Sequence, residues 1–314
     1  MKVWDFLYFL YTLSMTPPVL ISTPKDGEHI ALLGIVANTW LAIVKLLGGI
    51  FGNSYALIAD AIESATDIIG SGIVYLGVRY AQKPPDHNHP YGHGKTEPMA
   101  GLAVAILLVF AVVEIMSWAI ERLQTPDIWL PAFWTLYILV PVILLKGWLY
   151  IRALSIGRSL QSTAVMGDAY HHLSDAVTTG IALIGTLIAL FAGPEFASAA
   201  DWAALIAGLL MCYNIYHIGW PAMRELLDEV SDPDMESAIR NIIITNQSVL
   251  NINTCIVRKS GFDRIVELHL LIDGEQTVRD WHLIAHRVES DIRREFPSIS
   301  NVVVHVEPSY EIID

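Results

Sequence analysis

The sequence predicts an α-helical membrane protein: six transmembrane helices followed by a small cytoplasmic α+β domain. Three observations predict it. Of 314 residues, 54% are hydrophobic and 16% charged, whereas a soluble domain carries about 25% charge. Six apolar stretches are each long enough for a hydrocarbon core of about 30 Å, which takes roughly 20 helical residues. After Asp228 the patterning changes to short alternating runs and amphipathic helices, and residues 225–314 hold 17 acidic and 8 basic side chains.

The spans fall at 30–51, 54–79, 98–120, 128–151, 161–191 and 199–223. Turn-prone segments separate them: Gly52-Asn53, Lys83-Pro84-Pro85-Asp86, Thr125-Pro126-Asp127, Ile156-Gly157-Arg158 and Gly193-Pro194-Glu195. Pro141 removes a backbone donor from the fourth span and predicts a kink. Orientation follows from basic residues near the helix ends. Arg79, Lys83 and Lys95 on one connection, with Arg152 and Arg158 on another, put those connections in the cytoplasm, against Arg122 alone on the opposite side. Both termini are then cytoplasmic, and the expected location is the cell (inner) membrane. Val3–Leu13 is too short to span and lacks a signal-peptide pattern. Residues 1–28 therefore read as an interfacial or disordered arm, 29–224 as the six-helix transmembrane domain and 225–314 as the cytoplasmic C-terminal domain.

That last domain opens with Asp232-Pro233, an N-cap followed by Pro in the first turn, for a helix over 233–246. Alternating runs at 252–258 and 264–272, joined by Lys259-Ser260-Gly261-Phe262-Asp263, predict a hairpin. A helix over 276–296 and a strand over 301–307 complete an α-β-β-α-β order. The formal net charge of −13 excludes nucleic acid as a natural partner. Cys212 and Cys255, 43 positions apart, form neither a disulfide framework nor a CxxC zinc site.

The chemistry lies in the spans. Helix two carries Asp60, Glu63 and Asp67, which fall within about 60° of one another at 100° per residue. Helix five carries Asp168, His171, His172 and Asp175, with His171 and Asp175 one turn apart. A charge at the bilayer centre costs about 2.5–3.5 kcal/mol on insertion scales, against ~0.3–0.6 gained per apolar residue. Such a face persists if it meets positive charge or lines water. Lys45 is the one intramembrane cation that reads as well placed, and it cannot neutralise Asp60, Glu63, Asp67, Asp168 and Asp175 together. Glu63, Asp67, His171 and Asp175 instead supply four O/N ligands, the set a tetrahedral Zn²⁺-type site requires. Asp60 and Asp168 read as further ligands, as partners of those ligands or as helix-end residues, His172 as a hydrogen-bonded packing residue, and Glu114 as an interhelical bond or a proton step.

Asn38-x6-Lys45-x2-Gly48 and Ser54-x-Ala56-Leu57-x-Ala59-Asp60-x2-Glu63-Ser64-x2-Asp67 resemble the cation diffusion facilitator family, of the bacterial zinc/iron efflux transporter type. His89-Pro90-Tyr91-Gly92-His93-Gly94-Lys95-x-Glu97 matches that family's most diagnostic stretch, and His171-x3-Asp175 its fifth helix. The resemblance covers roughly residues 30–310. It implies a homodimer, proton antiport, a metal site between helices two and five, and a metallochaperone-like cytoplasmic domain. Glu63 departs from the family, whose bacterial zinc and iron exporters have Asp there and whose eukaryotic zinc carriers have His.

Asp86, His89 and His93, with His87 nearby, gather ligand types beside the cytoplasmic mouth; the family's equivalents of Asp86, His89 and His93 bind a second metal. In the tail, alternation puts Glu267 and His269 on one strand face, opposite Val266, Leu268 and Leu270, and His305 with Glu307 opposite Val302, Val304 and Val306. His282 and His286 sit at i, i+4, away from Val278, Trp281, Ala285 and Val288. Family matches to a dimer-stabilising metal cluster fall on His269, His282, His305 and Glu307. Asn253 stands where the family has a first-strand His, with His286 as an alternative ligand.

These features predict proton-coupled efflux of a divalent transition metal, Zn²⁺ first and Fe²⁺, Cd²⁺, Co²⁺ or Mn²⁺ as alternatives. Metal is both transported substrate and structural or regulatory ligand; the partners are protons, membrane lipid and a second copy of the chain. An intramembrane metalloenzyme is disfavoured by the lack of HExxH and of a free nucleophile or base. A metal-sensing receptor would explain the tail but not three acids on helix two.

Overall fold

Thr23, Pro24 and Asp26 begin the first helix. Asp26 Oδ2 accepts from the Thr23 backbone N–H at 2.6 Å and from its hydroxyl at 2.9 Å, an acid at the third helical position reaching back to the cap. Pro24 follows the cap, where its missing N–H costs nothing. Helix α1 (Pro24–Phe51) thus takes in residues that the sequence alone assigns to the arm. This computed structural model describes residues 22–51, 55–124, 136–192, 198–229, 232–244 and 248–309. Val3–Leu13 and the turn segments at 52–53, 125–127 and 193–195 lie outside them.

Five more long helices follow: α2 (Tyr55–Ala81), α3 (Thr96–Gln124), α4 (Leu136–Leu160), α5 (Thr163–Ala192) and α6 (Ser198–Leu226). Among the described residues, Pro24–Leu47, Thr96–Glu121 and Tyr137–Leu160 are long and apolar enough to cross a membrane. Large apolar side chains face outward, among them Val36, Trp40, Phe110, Leu144 and Leu209, the surface a helical transmembrane domain offers to lipid. α1 packs along α2 and α4 along α5, and α2 also meets α5.

One boundary differs from expectation. Ile156-Gly157-Arg158 is not a turn; α4 continues through Pro141 and Gly157 to Leu160. The chain reverses at Gln161, with φ 51. Gly157 serves close packing: a Cβ there would lie 2.9 Å from the Met166 backbone nitrogen on α5.

The second compact unit, Arg224–Asp314, has the expected α-β-β-α-β order. Asp232 Oδ1 caps α7 (Pro233–Ile244) by accepting from the Met235 N–H at 3.0 Å. Strands β1 (Asn251–Ser260) and β2 (Asp263–Ile272) pair antiparallel. Their two-residue connection has Gly261 first, at φ 63, as a type II′ hairpin requires. Helix α8 (Val278–Glu295) then returns the chain to β3 (Ile299–Pro308), parallel to β2. Ile239, Ile243, Val257, Leu268, Leu270 and Ile292 form the centre of this unit's core. The buried face of α8 is Trp281, Ile284, Val288 and Ile292, while Val278, expected among the apolar face, is 87% exposed. Both cysteines are free, and burial pushes the Cys255 thiol up to about 11, an unreactive core residue.

Candidate metal centre

Asp67 on α2 and His171 and Asp175 on α5 converge within the helices: each offers one ligand atom, and the three atoms lie within 4.8 Å of one another. His171 Nε2 stands 3.0 Å from Asp67 Oδ1 and 3.7 Å from Asp175 Oδ2. The side chains of Asp60 and Glu63 lie outside what is described, so the expected fourth ligand has no geometry here. Mixed carboxylate and imidazole donors at this spacing suit a divalent transition metal.

A cation that the sequence reading overlooks sits in the same place. Lys146 of α4, 1% exposed, donates from Nζ to Asp67 Oδ2 at 2.9 Å and to Asp175 Oδ2 at 2.6 Å. Lys45, the intramembrane cation that the sequence reads as well placed, is also buried and donates to Ser64 Oγ at 2.9 Å. Lys146 escapes the sequence reading because of the helix boundary. With a helix ending at 151, Lys146 reads as a residue near the cytoplasmic end. In a helix that runs to Leu160 it lies well inside.

Asp168 and His172 are not among this centre's three ligand residues. Ser71 Oγ donates to Asp168 Oδ1 at 3.0 Å, and His172 Nε2 lies 3.6 Å from Asp168 Oδ2. Among the described residues neither ring nitrogen of His172 has a hydrogen-bond partner, although the ring is buried. Its expected packing position holds, and its expected hydrogen bond is not found among the described residues. Glu114 is exposed on α3.

Between α2 and α3, Asp86 gathers the loop histidines. Its carboxylate accepts from the His89 backbone N–H at 2.7 Å and meets His89 Nδ1 at 3.1 Å and His93 Nε2 at 3.4 Å. The His89 backbone N–H and imidazole hold the Asp86 carboxyl below its ordinary range, so an anion is present to share with a metal. Asp86, His89 and His93 fit a three-ligand set; His87 is exposed. Four residues beyond His93, fully buried Glu97 accepts from Ser162 Oγ at 2.6 Å, Thr163 Oγ1 at 3.0 Å and the Ala164 N–H at 2.7 Å. A carboxylate at the N-terminus of α5 satisfies orphan donors and complements the helix dipole. It thereby anchors the helix that carries His171 and Asp175. Replacing Glu97 with Ala strands these donors, and we expect a loss of about 2–4 kcal/mol, read as a lower thermal midpoint in detergent than for Glu97→Asp.

In the tail, His269, His305 and Glu307 bring ligand atoms within 4.8 Å. Glu307 Oε1 is 2.9 Å from His269 Nδ1, while Asn253 Nδ2 donates to Oε2 at 2.5 Å. The amide therefore occupies the carboxylate oxygen beside the position of the family's His ligand. These contacts, Asn253 first, hold the Glu307 carboxyl below its usual range. His282 does not join this cluster. It pairs with His286 on α8, ring centroids 4.4 Å apart, and Glu267 reaches His269 Nε2 at 3.6 Å.

Residues 31–227 match the cation efflux transmembrane domain, and residues 231–309 the cation efflux protein cytoplasmic domain. The manganese efflux system protein MneP of Bacillus subtilis is 30% identical over 91% of this chain and 97% of its own length. The cation-efflux pump FieF of Cronobacter sakazakii is 29% identical, covering 88% and 91%. Metal tolerance protein C1 of Arabidopsis thaliana is 27% identical, covering 91% of this chain and 63% of its own length. The chain belongs to the cation diffusion facilitator (cation efflux) family, membrane transporters that export divalent metal cations and are not enzymes.

Proposed function

We propose that this protein exports Zn²⁺ from the cytoplasm in exchange for protons, through a site of Glu63, Asp67, His171 and Asp175 between α2 and α5. The observation that carries the reading is the convergence of Asp67, His171 and Asp175 among apolar helices. Ionisable groups of that kind inside a membrane domain mark an ion pathway. The imidazole nitrogen favours Zn²⁺, Cd²⁺, Co²⁺ and Fe²⁺ over a hard cation that prefers oxygen alone. Ligands must be deprotonated to hold a metal, so metal entry releases protons and their return expels metal. All six long helices span the inner membrane, with both termini cytoplasmic, on the strength of Arg79, Lys83, Lys95, Arg152 and Arg158 against Arg122.

A second reading, Mn²⁺, is favoured by the name of the Bacillus relative. Metal-loaded proteoliposomes under an imposed pH gradient separate the two. The Zn²⁺ reading expects saturable, gradient-driven Zn²⁺ flux that exceeds Mn²⁺ flux at equal concentration. Faster Mn²⁺ flux would replace it, and flux indifferent to the gradient would remove proton exchange.

The working form is a homodimer, consistent with the dimer-type cytoplasmic domain the chain matches. Asp86, His89 and His93 would hold a second metal. His269, His305 and Glu307 would hold another, to which His282 or His286 is contributed across the dimer. The tail is acidic and these ligands face outward, so metal-free tails repel and metal draws them together. Solution scattering of residues 228–314 should show compaction on adding Zn²⁺, lost when His269→Ala is combined with His305→Ala. Unchanged scattering in the wild-type fragment would leave it a plain dimerisation domain.

A further inference from the structure

Lys146 is bonded to two of the oxygens that a transported metal would need. Its ammonium lies 2.9 Å from Asp67 Oδ2 and 2.6 Å from Asp175 Oδ2, and His171 Nε2 is 3.7 Å from the same Asp175 oxygen. The lysine is 1% exposed, so its charge is compensated here by protein and not by water. A divalent cation on these carboxylates would share ligand atoms with an ammonium group, and like charges in one coordination shell repel strongly. A lysine side chain is also long and unbranched, with four rotatable bonds that let the ammonium withdraw while its α4 backbone stays in place.

We propose that Lys146 is a tethered counter-ion of the transport site: it occupies Asp67 and Asp175 when no metal is bound, and metal must displace it to enter. The idea rests on the transport reading above and adds a residue that sets affinity. Two consequences follow. The empty transporter can change access without carrying a cluster of uncompensated acids through the membrane. The metal is also held less tightly than its ligands alone would hold it, which favours release.

The test is metal flux in proteoliposomes for the full chain, with initial rates taken across a range of Zn²⁺ concentrations. Like-charge juxtaposition costs several kcal/mol, so removing the ammonium in Lys146→Met should lower KM at least about tenfold. kcat should fall as well, because the empty site then returns with unbalanced acids. Lys146→Arg keeps the charge and should not lower KM. A purely structural lysine would weaken binding when removed, which is the opposite sign. If Lys146→Met fails to assemble, Lys146→Gln, of similar length and uncharged, carries the same expectation. Saturable wild-type flux that Asp175→Asn abolishes, with KM unchanged or raised in the uncharged Lys146 variants, overturns this inference and leaves the transport site standing. Absence of saturable flux in the wild type would remove the site and the inference together.

Discussion

Asp67→Asn and Asp175→Asn should each reduce metal flux at least about 100-fold while leaving a folded protein. Loss of a residue that merely orients a metal ligand costs about 10–100-fold, and these two carboxylates are themselves within 4.8 Å of His171 as a ligand set. Asparagine keeps an acceptor oxygen for the Lys146 ammonium, which lies within 3 Å of both acids (2.9 and 2.6 Å). Alanine does not. Breaking a buried ion pair costs about 3–5 kcal/mol because a charge is left without its partner. Asp67→Ala should fall at the low end of that range, since Asp175 still holds Lys146. Adding Lys146→Met to Asp67→Ala should lower the thermal midpoint further, because Asp175 then loses the ammonium 2.6 Å away that still balanced it, and should restore none of the flux. Thermal midpoints in detergent, read beside proteoliposome flux on the same preparations, separate the two effects. Near-normal flux in either asparagine variant would remove that residue from the ligand set.

Much of this arrangement was legible because its signals are local. The i, i+4 spacing of His171 and Asp175 defines a helix face without knowledge of any neighbour. Likewise Asp86, His89 and His93 lie within eight consecutive residues, and strand alternation in β2 and β3 separates His269, His305 and Glu307 from the core residues between them. What the sequence withheld depends on contacts between helices. Gly157 reads as a turn until Met166 is seen packed against it at 2.9 Å from the site of a Cβ. That reading shortens α4 and hides Lys146 near a helix end, which leaves Lys45 as the one intramembrane cation that reads as well placed. Glu97 gives no local sign that it receives three donors from Ser162, Thr163 and Ala164, 65 to 67 positions away. His282 matches the family's tail motif by position, yet within one chain it faces His286 and not the His269 cluster.

His171→Asp should lower the Zn²⁺/Mn²⁺ flux ratio at least about tenfold, because it replaces the nitrogen donor with oxygen in a set otherwise made of carboxylates. His171 Nε2 lies 3.0 Å from Asp67 Oδ1, and a shorter aspartate keeps an oxygen donor on the same face of α5 while adding negative charge beside Asp67 and Asp175. The added charge should favour divalent cations generally, so the ratio and not the absolute rate is the diagnostic quantity. His171→Gln serves the proton question, since it offers a neutral donor that cannot titrate. Imidazole titrates near 6.5 in its unperturbed state and carboxylates near 4, so His171 is the group in this set whose ordinary range lies closest to physiological pH. If it carries an exchanged proton, flux in His171→Gln should respond less to imposed pH gradients than in the wild type. The measurement is Zn²⁺ and Mn²⁺ flux in proteoliposomes over a series of gradients, wild type beside both variants. An unchanged pH response together with an unchanged metal ratio would place both selectivity and proton exchange elsewhere, with the buried Asp168 and Glu114 the next residues to replace.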